Sequence, residues 1–182
     1  EIKNFRLLRN AELHLEGGTT MVVGRNNSGK TSLAELFRRL LLESSAAFRL
    51  EDFSLGSHAG FWAAFELFLA GKEENEIRAA LPDIEVWLTV SYEKDERDLG
   101  PLGDFVVDLD PDCTEARLHV HHSLEGGRLK ALLGDIEVPE GADENTKKAA
   151  LFDALKERVP KLYKCALAAV DPKDPQNRKA MD

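Results

Sequence analysis

The fold prediction rests on one segment, Gly24-Arg25-Asn26-Asn27-Ser28-Gly29-Lys30-Thr31. It fits the pattern G-x-x-x-x-G-K-[ST] of a phosphate-binding loop. The apolar run Thr19–Val23 precedes it and predicts a buried strand, while Lys30–Glu43 carries apolar residues at helical spacing. A strand, a glycine-containing loop and a helix in this order predict an α/β fold built around a polyphosphate site.

The residue types of this loop match the chemistry of a nucleoside triphosphate. Gly24 and Gly29 permit backbone conformations that a side chain would block, so successive N–H groups can face phosphate oxygens. Lys30 is expected to reach the β- and γ-phosphates, and the Thr31 hydroxyl is expected to hold Mg²⁺. ATP and Mg²⁺ are therefore the expected cofactors. The predicted binding residues of the loop are Gly24, Arg25, Asn26, Asn27, Ser28, Gly29, Lys30, Thr31 and Ser32.

Composition narrows the class of protein. The 182 residues carry a formal net charge of −9, which argues against a chain-wide electrostatic footprint for nucleic acid. Cys113 and Cys165 have no metal-type spacing, and such sparse use of cysteine suits a reducing compartment. No apolar run approaches membrane-spanning length. We therefore expect a cytoplasmic protein without a membrane partner.

Beyond the P-loop core at residues 1–43, hydrophobic periodicity divides the chain into three parts. Residues 44–81 read as a helical segment, 84–134 as antiparallel strands, and 143–171 as a helix capped by Asp143 followed by a core strand. Short turns between consecutive strands favour an antiparallel subdomain. The predicted strands are Ile2–Leu7, Ala11–Leu15, Thr19–Val23, Ile84–Tyr92, Phe105–Leu109, Ala116–Val120, Leu129–Leu133 and Lys164–Val170.

The opening Ile2-Lys3-Asn4-Phe5-Arg6, a predicted hairpin and the loop wording Asn26-Asn27-Ser28 together resemble a known group. They are similar to the N-terminal lobe of ABC-type ATPases of the SMC/RecF branch. Within that branch they most resemble OLD-family ("overcoming lysogenization defect") ATP-dependent endonucleases. The resemblance is specific over residues 1 to about 43. It implies a P-loop NTPase fold of the ABC-ATPase lobe type, with a mixed sheet and an antiparallel β-subdomain.

The same resemblance implies a function for a longer protein, of which residues 1–182 are expected to be one partial domain. It implies a homodimer that forms through the ATPase lobes with ATP between them, and DNA cleavage by a separate C-terminal Toprim domain, with DNA bound outside this chain. It also places Asn4 and Arg6 near the base or phosphate edge of the nucleotide. Two alternatives stay open: a DNA-repair ATPase clamp without nuclease activity, and a non-catalytic nucleotide-binding module.

ATP hydrolysis also requires an acidic residue after an apolar strand to hold Mg²⁺ and a group that positions water. Two segments, Phe105–Asp108 and Ala166–Asp171, place an aspartate after an apolar run, as the Mg²⁺ requirement demands. Neither is followed by the glutamate that ABC-type ATPases use to position water, so both are interpreted as strand ends. We therefore expect this chain by itself to hydrolyse ATP negligibly.

Three further clusters receive structural interpretations. Asp108-x-Asp110-x-Asp112 is interpreted as a solvated acidic turn and not as a Toprim metal site. His119, His121 and His122 suggest a zinc site, but His119 and His121 are interpreted instead as the exposed face of a strand, because no Cys or carboxylate partner is suitably spaced. Three arginines, Arg25, Arg38 and Arg39, are candidate contacts for DNA phosphates. Arg38 and Arg39 are assigned instead to the solvent-exposed face of the first helix.

Overall fold

A computed structural model describes residues 1–42, 47–94, 99–107, 110, 112–139 and 141–181. Three residues named in the sequence predictions, Glu43, Asp108 and Leu109, lie outside the described residues. The Asp108 strand-end prediction is therefore not addressed by the structure.

Within the described residues the strands form one six-stranded sheet in the order β2-β1-β3-β4-β5-β6. Every strand pair in it is antiparallel. The predicted antiparallel pairing is thus present, within a sheet that also includes the first two strands, whereas the predicted mixed sheet is not seen, since no parallel pair occurs among the described residues. The strands are β1 (Ile2–Phe5), β2 (Leu8–Ala11), β3 (Ile84–Ser91), β4 (Glu115–Leu124), β5 (Tyr163–Val170) and β6 (Arg178–Met181).

In the part of the chain that the structure describes, five α-helices contribute to a single core against one face of the sheet. Leu36 and Phe61 from the helices are fully buried against sheet residues such as Phe5, Ile84 and Val86. Burial of apolar side chains on one helix stripe and one sheet face is the main source of stability for this layered arrangement. The helices are α1 (Lys30–Leu42), α2 (His58–Leu69), α3 (Glu74–Ala80), α4 (Leu129–Leu133) and α5 (Glu144–Leu162).

Long periodic segments were predicted well. The alternating run at Ile84–Tyr92 forms β3, which pairs along its whole length with β4. Asp143 caps α5, since its Oδ1 accepts a hydrogen bond from the Thr146 amide at 2.8 Å. The side-chain oxygen thereby satisfies one amide that has no partner inside the helix.

The segment that leads into the P-loop differs from the prediction. Pairing with β1 falls on Leu8–Ala11 and not on Ala11–Leu15, and Thr19–Val23 forms no strand. Met21 and Val23 are 81% and 79% exposed. A buried strand requires neighbours for its backbone N–H and C=O groups, and the described residues place no strand beside this segment.

Two further predicted strands also have another structure. Leu129–Leu133 is the short helix α4, in which Leu129, Leu132 and Leu133 are buried. That i, i+3, i+4 spacing is helical, and the alternation that favoured a strand was coincidental. Phe105 ends a 3₁₀ turn that begins at Gly100, so the prediction of a strand from Phe105 is wrong for its described part.

The three histidines of β4 divide between the two faces of the sheet. His119 and His121 share the face opposite the helices, as predicted, but His119 is buried beneath a stacked Trp87 ring at 3.8 Å. His122 points into the core and contacts Phe48 and Phe53. Among the described residues no three His, Cys, Asp or Glu side chains lie close enough to share a metal ion.

His122 is a buried polar group whose two ring nitrogens have no hydrogen-bond partner among the described residues. Burial lowers the pKa of His122 to about 4, because the imidazolium form would lose its hydration in an aromatic environment. The folded protein therefore holds this side chain neutral.

We predict that His122 makes folding sensitive to mild acid. Between pH 6.5 and about 4 the unfolded chain protonates this histidine and the folded chain does not. Stability is therefore fully present above pH 6.5 and falls by up to about 1.4 kcal/mol per pH unit below it. His122→Phe is expected to reduce the decrease in the free energy of unfolding between pH 7 and pH 5, measured by urea unfolding. The matched control is His14→Phe at an exposed histidine, which should keep the parent slope. A His122→Phe protein that loses stability as steeply as the parent would contradict the assignment.

Candidate nucleotide-binding loop

The phosphate-binding loop lies between the turn joining β1 to β2 and the N-terminus of α1. The helix begins at Lys30, and its first turn contains no acidic residue. The Leu33 amide donates to the Gly29 carbonyl at 2.9 Å, which starts the helical hydrogen-bond series. The free amides and the positive end of the helix dipole therefore face the loop, with no helix carboxylate in that turn to compete for them.

The loop closes around the ammonium group of Lys30. Its Nζ donates to the Gly24 carbonyl at 2.6 Å and to the Arg25 carbonyl at 2.7 Å, and it lies 3.4 Å from the Ser28 Oγ. One side chain thus ties the start of the loop to its end. The positive charge is held within the ring of backbone where a phosphate would bind.

Backbone conformation shows why this loop needs its particular residues. Gly29 has φ +92°, and a Cβ there would lie 2.9 Å from the Leu8 Cδ2 in the floor of the loop. A Cβ at Gly24 would lie 2.7 Å from the Ser28 Oγ. Asn27 has φ +65°, a left-handed conformation that asparagine tolerates better than most residues. A side chain at Gly29 would therefore be strained by its backbone conformation, and one at Gly24 would displace the Ser28 hydroxyl.

The residues present fit ATP with Mg²⁺. Asn26, Ser28 and Thr31 are exposed, so the loop amides and the threonine hydroxyl are accessible to a ligand. Ser32, by contrast, is buried, at 6% exposure. Since the described residues contain no cluster of three metal-ligating side chains, Mg²⁺ here would depend on the Thr31 hydroxyl and phosphate oxygens.

Asn4 and Arg6 are not held at the loop. The Asn4 Nδ2 donates to the Asp83 carbonyl at 3.0 Å, and its own carbonyl accepts from the Ser54 amide. The Arg6 Nε donates to the Asp52 Oδ1 at 2.8 Å. Both residues have positive φ, 60° and 48°. In this structure they brace the β1–β2 turn against residues 52–54, and their contact with a nucleotide stays a prediction.

Asp52 is a key residue that the sequence interpretation missed. Its carboxylate is buried and accepts hydrogen bonds from Arg6, from the Arg39 Nη1 at 2.5 Å and from the Arg49 amide at 2.9 Å. Arg39 was assigned to the wet face of α1, but its side chain is only 11% exposed because it reaches this carboxylate. No local sequence pattern marks this role, since the two arginine side chains that bind Asp52 lie 46 and 13 positions away in the chain.

Glu35 extends the same ionic network along α1. It pairs with Arg38 and Arg39 at 2.9 Å. Hydrogen bonds from Arg38 and Arg39 lower the pKa of Glu35 to about 2. Burial opposes the charged form of Arg39, but the hydrogen bonds that its guanidinium donates to Asp52 and Glu35 raise the pKa of Arg39 above its ordinary value. Glu35 and Arg39 therefore both remain charged over the physiological range.

The described acidic candidates outside the loop have local partners. Asp171 follows β5, as the strand-end interpretation predicts, and its carboxylate accepts from the Lys173 amide at 2.8 Å and from the Asn177 Nδ2 at 3.1 Å. Asp110 pairs with Lys173, and Asp112 pairs with Lys94. These contacts agree with turn and surface roles for the three carboxylates.

Comparisons with known proteins identify one family. A family model described as AAA ATPase domain (AAA_15) matches residues 1–176. Comparison with curated proteins gives no match, and comparison with solved structures gives none either. Among the described helices, none has the length and apolar character needed to cross a membrane. Because the family match extends over nearly the whole sequence, the chain belongs to the AAA ATPase domain family.

Proposed function

We propose that this chain binds Mg·ATP through residues 24–32 and serves as the nucleotide-dependent module of a larger activity. Membership of the AAA ATPase domain family makes it an ATPase module. The observation that carries the binding site is the Lys30 ammonium, held by the Gly24 and Arg25 carbonyls beside the N-terminus of α1. A flexible lysine fixed in this way needs only to exchange carbonyl partners for phosphate oxygens.

Different residues of the loop would contact different parts of Mg·ATP. Backbone amides of Asn26, Asn27 and Ser28 would surround the phosphates, and Lys30 would neutralise charge on the terminal ones. The Thr31 hydroxyl would contribute to holding Mg²⁺, which when bound supplies charge neutralisation between phosphates. Gly24 and Gly29 keep side chains out of the space that the phosphates require.

For the whole protein we infer that ATP binding drives dimerisation and that this step is coupled to DNA cleavage by a separate Toprim domain. The support is the resemblance of Ile2–Arg6 and of the loop wording to OLD-family proteins. The described Asp110 and Asp112 pair with lysines, which supports placing any nuclease centre outside residues 1–182. A DNA-repair clamp without nuclease activity is the alternative. Metal-dependent cleavage of plasmid DNA by the full-length protein separates the two.

Lys30→Ala is expected to reduce ATP affinity roughly hundredfold, because several hydrogen bonds from one charged donor are lost. Isothermal titration with Mg·ATP measures the change. The fold should persist, since the carbonyls of Gly24 and Arg25 are exposed and water can replace the ammonium. Lys72→Ala, at an exposed lysine between α2 and α3, is the control and should bind as the parent does. Equal affinity of the Lys30→Ala and parent proteins would remove the site assignment.

The purified 182-residue chain is expected to release phosphate from ATP no faster than its Lys30→Ala variant. Asp171, the strand-end carboxylate that the structure describes, is committed to its own turn and lies three strands from β1, about 14 Å away at ordinary strand spacing. A coupled phosphate-release assay at saturating Mg·ATP tests this. Turnover clearly above the Lys30→Ala background would show that the catalytic groups are already present.

A further inference from the structure

A cavity of about 480 Å³ lies beside α1, separate from the phosphate-binding loop. Its walls come from the β1–β2 turn, from the third turn of α1 and from residues 47–52. Four of its lining side chains are arginines. The lining residues are Arg6, Arg38, Arg39, Ala47, Arg49, Glu51 and Asp52.

Two of the arginines are fixed from behind by one buried carboxylate. Asp52 binds the Arg6 Nε at 2.8 Å and the Arg39 Nη1 at 2.5 Å. A guanidinium group has five N–H donors in a planar fork. Arg6 is held through its Nε, whereas the Arg39 Nε and Nη1 are already bonded to Glu35, the Ala47 carbonyl and Asp52, so among the described contacts Arg39 keeps its Nη2 donors for a ligand. These contacts order both side chains in advance, so a ligand that binds the remaining donors does not bear the full cost of immobilising them.

Arginine is concentrated in the cavity, although the chain as a whole is acidic. Four of the seven lining residues are arginines, and two, Glu51 and Asp52, are acidic. The Arg49 guanidinium is exposed and makes no ion pair with a described residue. The formal net charge of −9 for the chain makes this concentration of arginine a local feature.

We propose that this arginine cavity is a second anion site that binds a phosphate group, either a phosphodiester of a nucleic-acid strand or free pyrophosphate. Planar guanidinium forks match the geometry of phosphate oxygens and bind them through paired, charge-assisted hydrogen bonds. Arg49 supplies a donor that has no carboxylate partner among the described residues, and Asp52 positions Arg6 and Arg39. The cavity uses none of residues 24–32, although it contains Arg6, which the family resemblance places near the nucleotide.

The test uses the Lys30→Ala variant, so that binding of phosphate at residues 24–32 contributes little. In this variant, binding of a fluorescein-labelled single-stranded oligonucleotide is followed by anisotropy, and binding of pyrophosphate is followed by calorimetry. Arg49→Ala should weaken the binding about tenfold and reduce its dependence on salt, since one charge-assisted contact is lost. Arg128→Ala makes the same charge change at an exposed arginine of the β4–α4 turn, and it should leave the affinity within about twofold.

The two ligands identify the source of the phosphate. Binding of the oligonucleotide and its displacement by pyrophosphate would assign the site to a nucleic-acid backbone, whereas binding of pyrophosphate alone would assign it to a free phosphate. Either result, with loss in Arg49→Ala, supports the site. No binding of either ligand, or equal weakening by Arg49→Ala and Arg128→Ala, would overturn it. ATP binding by the parent protein is measured in parallel, so failure of the loop is distinguished from failure of the arginine cavity.

Discussion

The carboxylate of Asp52 is the constraint on which the geometry around the loop depends. It is 1% exposed and joins three parts of the chain, since Arg6 comes from the β1–β2 turn, Arg39 from α1 and the Arg49 amide from its own turn. A buried carboxylate persists only with its charge compensated, and leaving a partner unpaired costs about 3–5 kcal/mol. The ion network therefore fixes α1 against the edge of the sheet, and α1 carries Lys30.

The β1–β2 turn is held in a costly conformation by the same contacts. Asn4 and Arg6 have positive φ, which non-glycine residues adopt only when surrounding structure stabilises it. The Arg6 amide donates to the Asp52 carbonyl at 2.7 Å and the Ser54 amide to the Asn4 carbonyl at 2.9 Å. This turn leads into Leu8, the side chain that a Cβ at Gly29 would strike. Support for the loop floor is thus traced back to Asp52.

Sequence periodicity correctly predicted the elements whose structure depends on interactions between residues close together in the chain. The helix after the loop, the alternating strand β3 and the α5 cap at Asp143 depend on local spacing and local hydrogen bonds. Thr19–Val23 was wrongly predicted because an apolar run becomes a strand only beside partner strands, which local sequence does not reveal. The role of Asp52 was missed for the same reason, because it depends on the side chains of Arg6 and Arg39, which lie 46 and 13 positions away from it in the chain.

The net charge of the chain says little about where its cationic groups are concentrated. A total of −9 disfavours a broad nucleic-acid footprint, yet cationic side chains are grouped at the two proposed anion sites around α1. At one, the Lys30 ammonium and the helix N-terminus face the loop; at the other, arginines surround a buried acid. Screening limits each field to about 10 Å at moderate salt, so acidic residues elsewhere on the surface scarcely weaken either site. Selectivity for phosphate is therefore set by donor geometry within each site and not by the charge of the whole molecule.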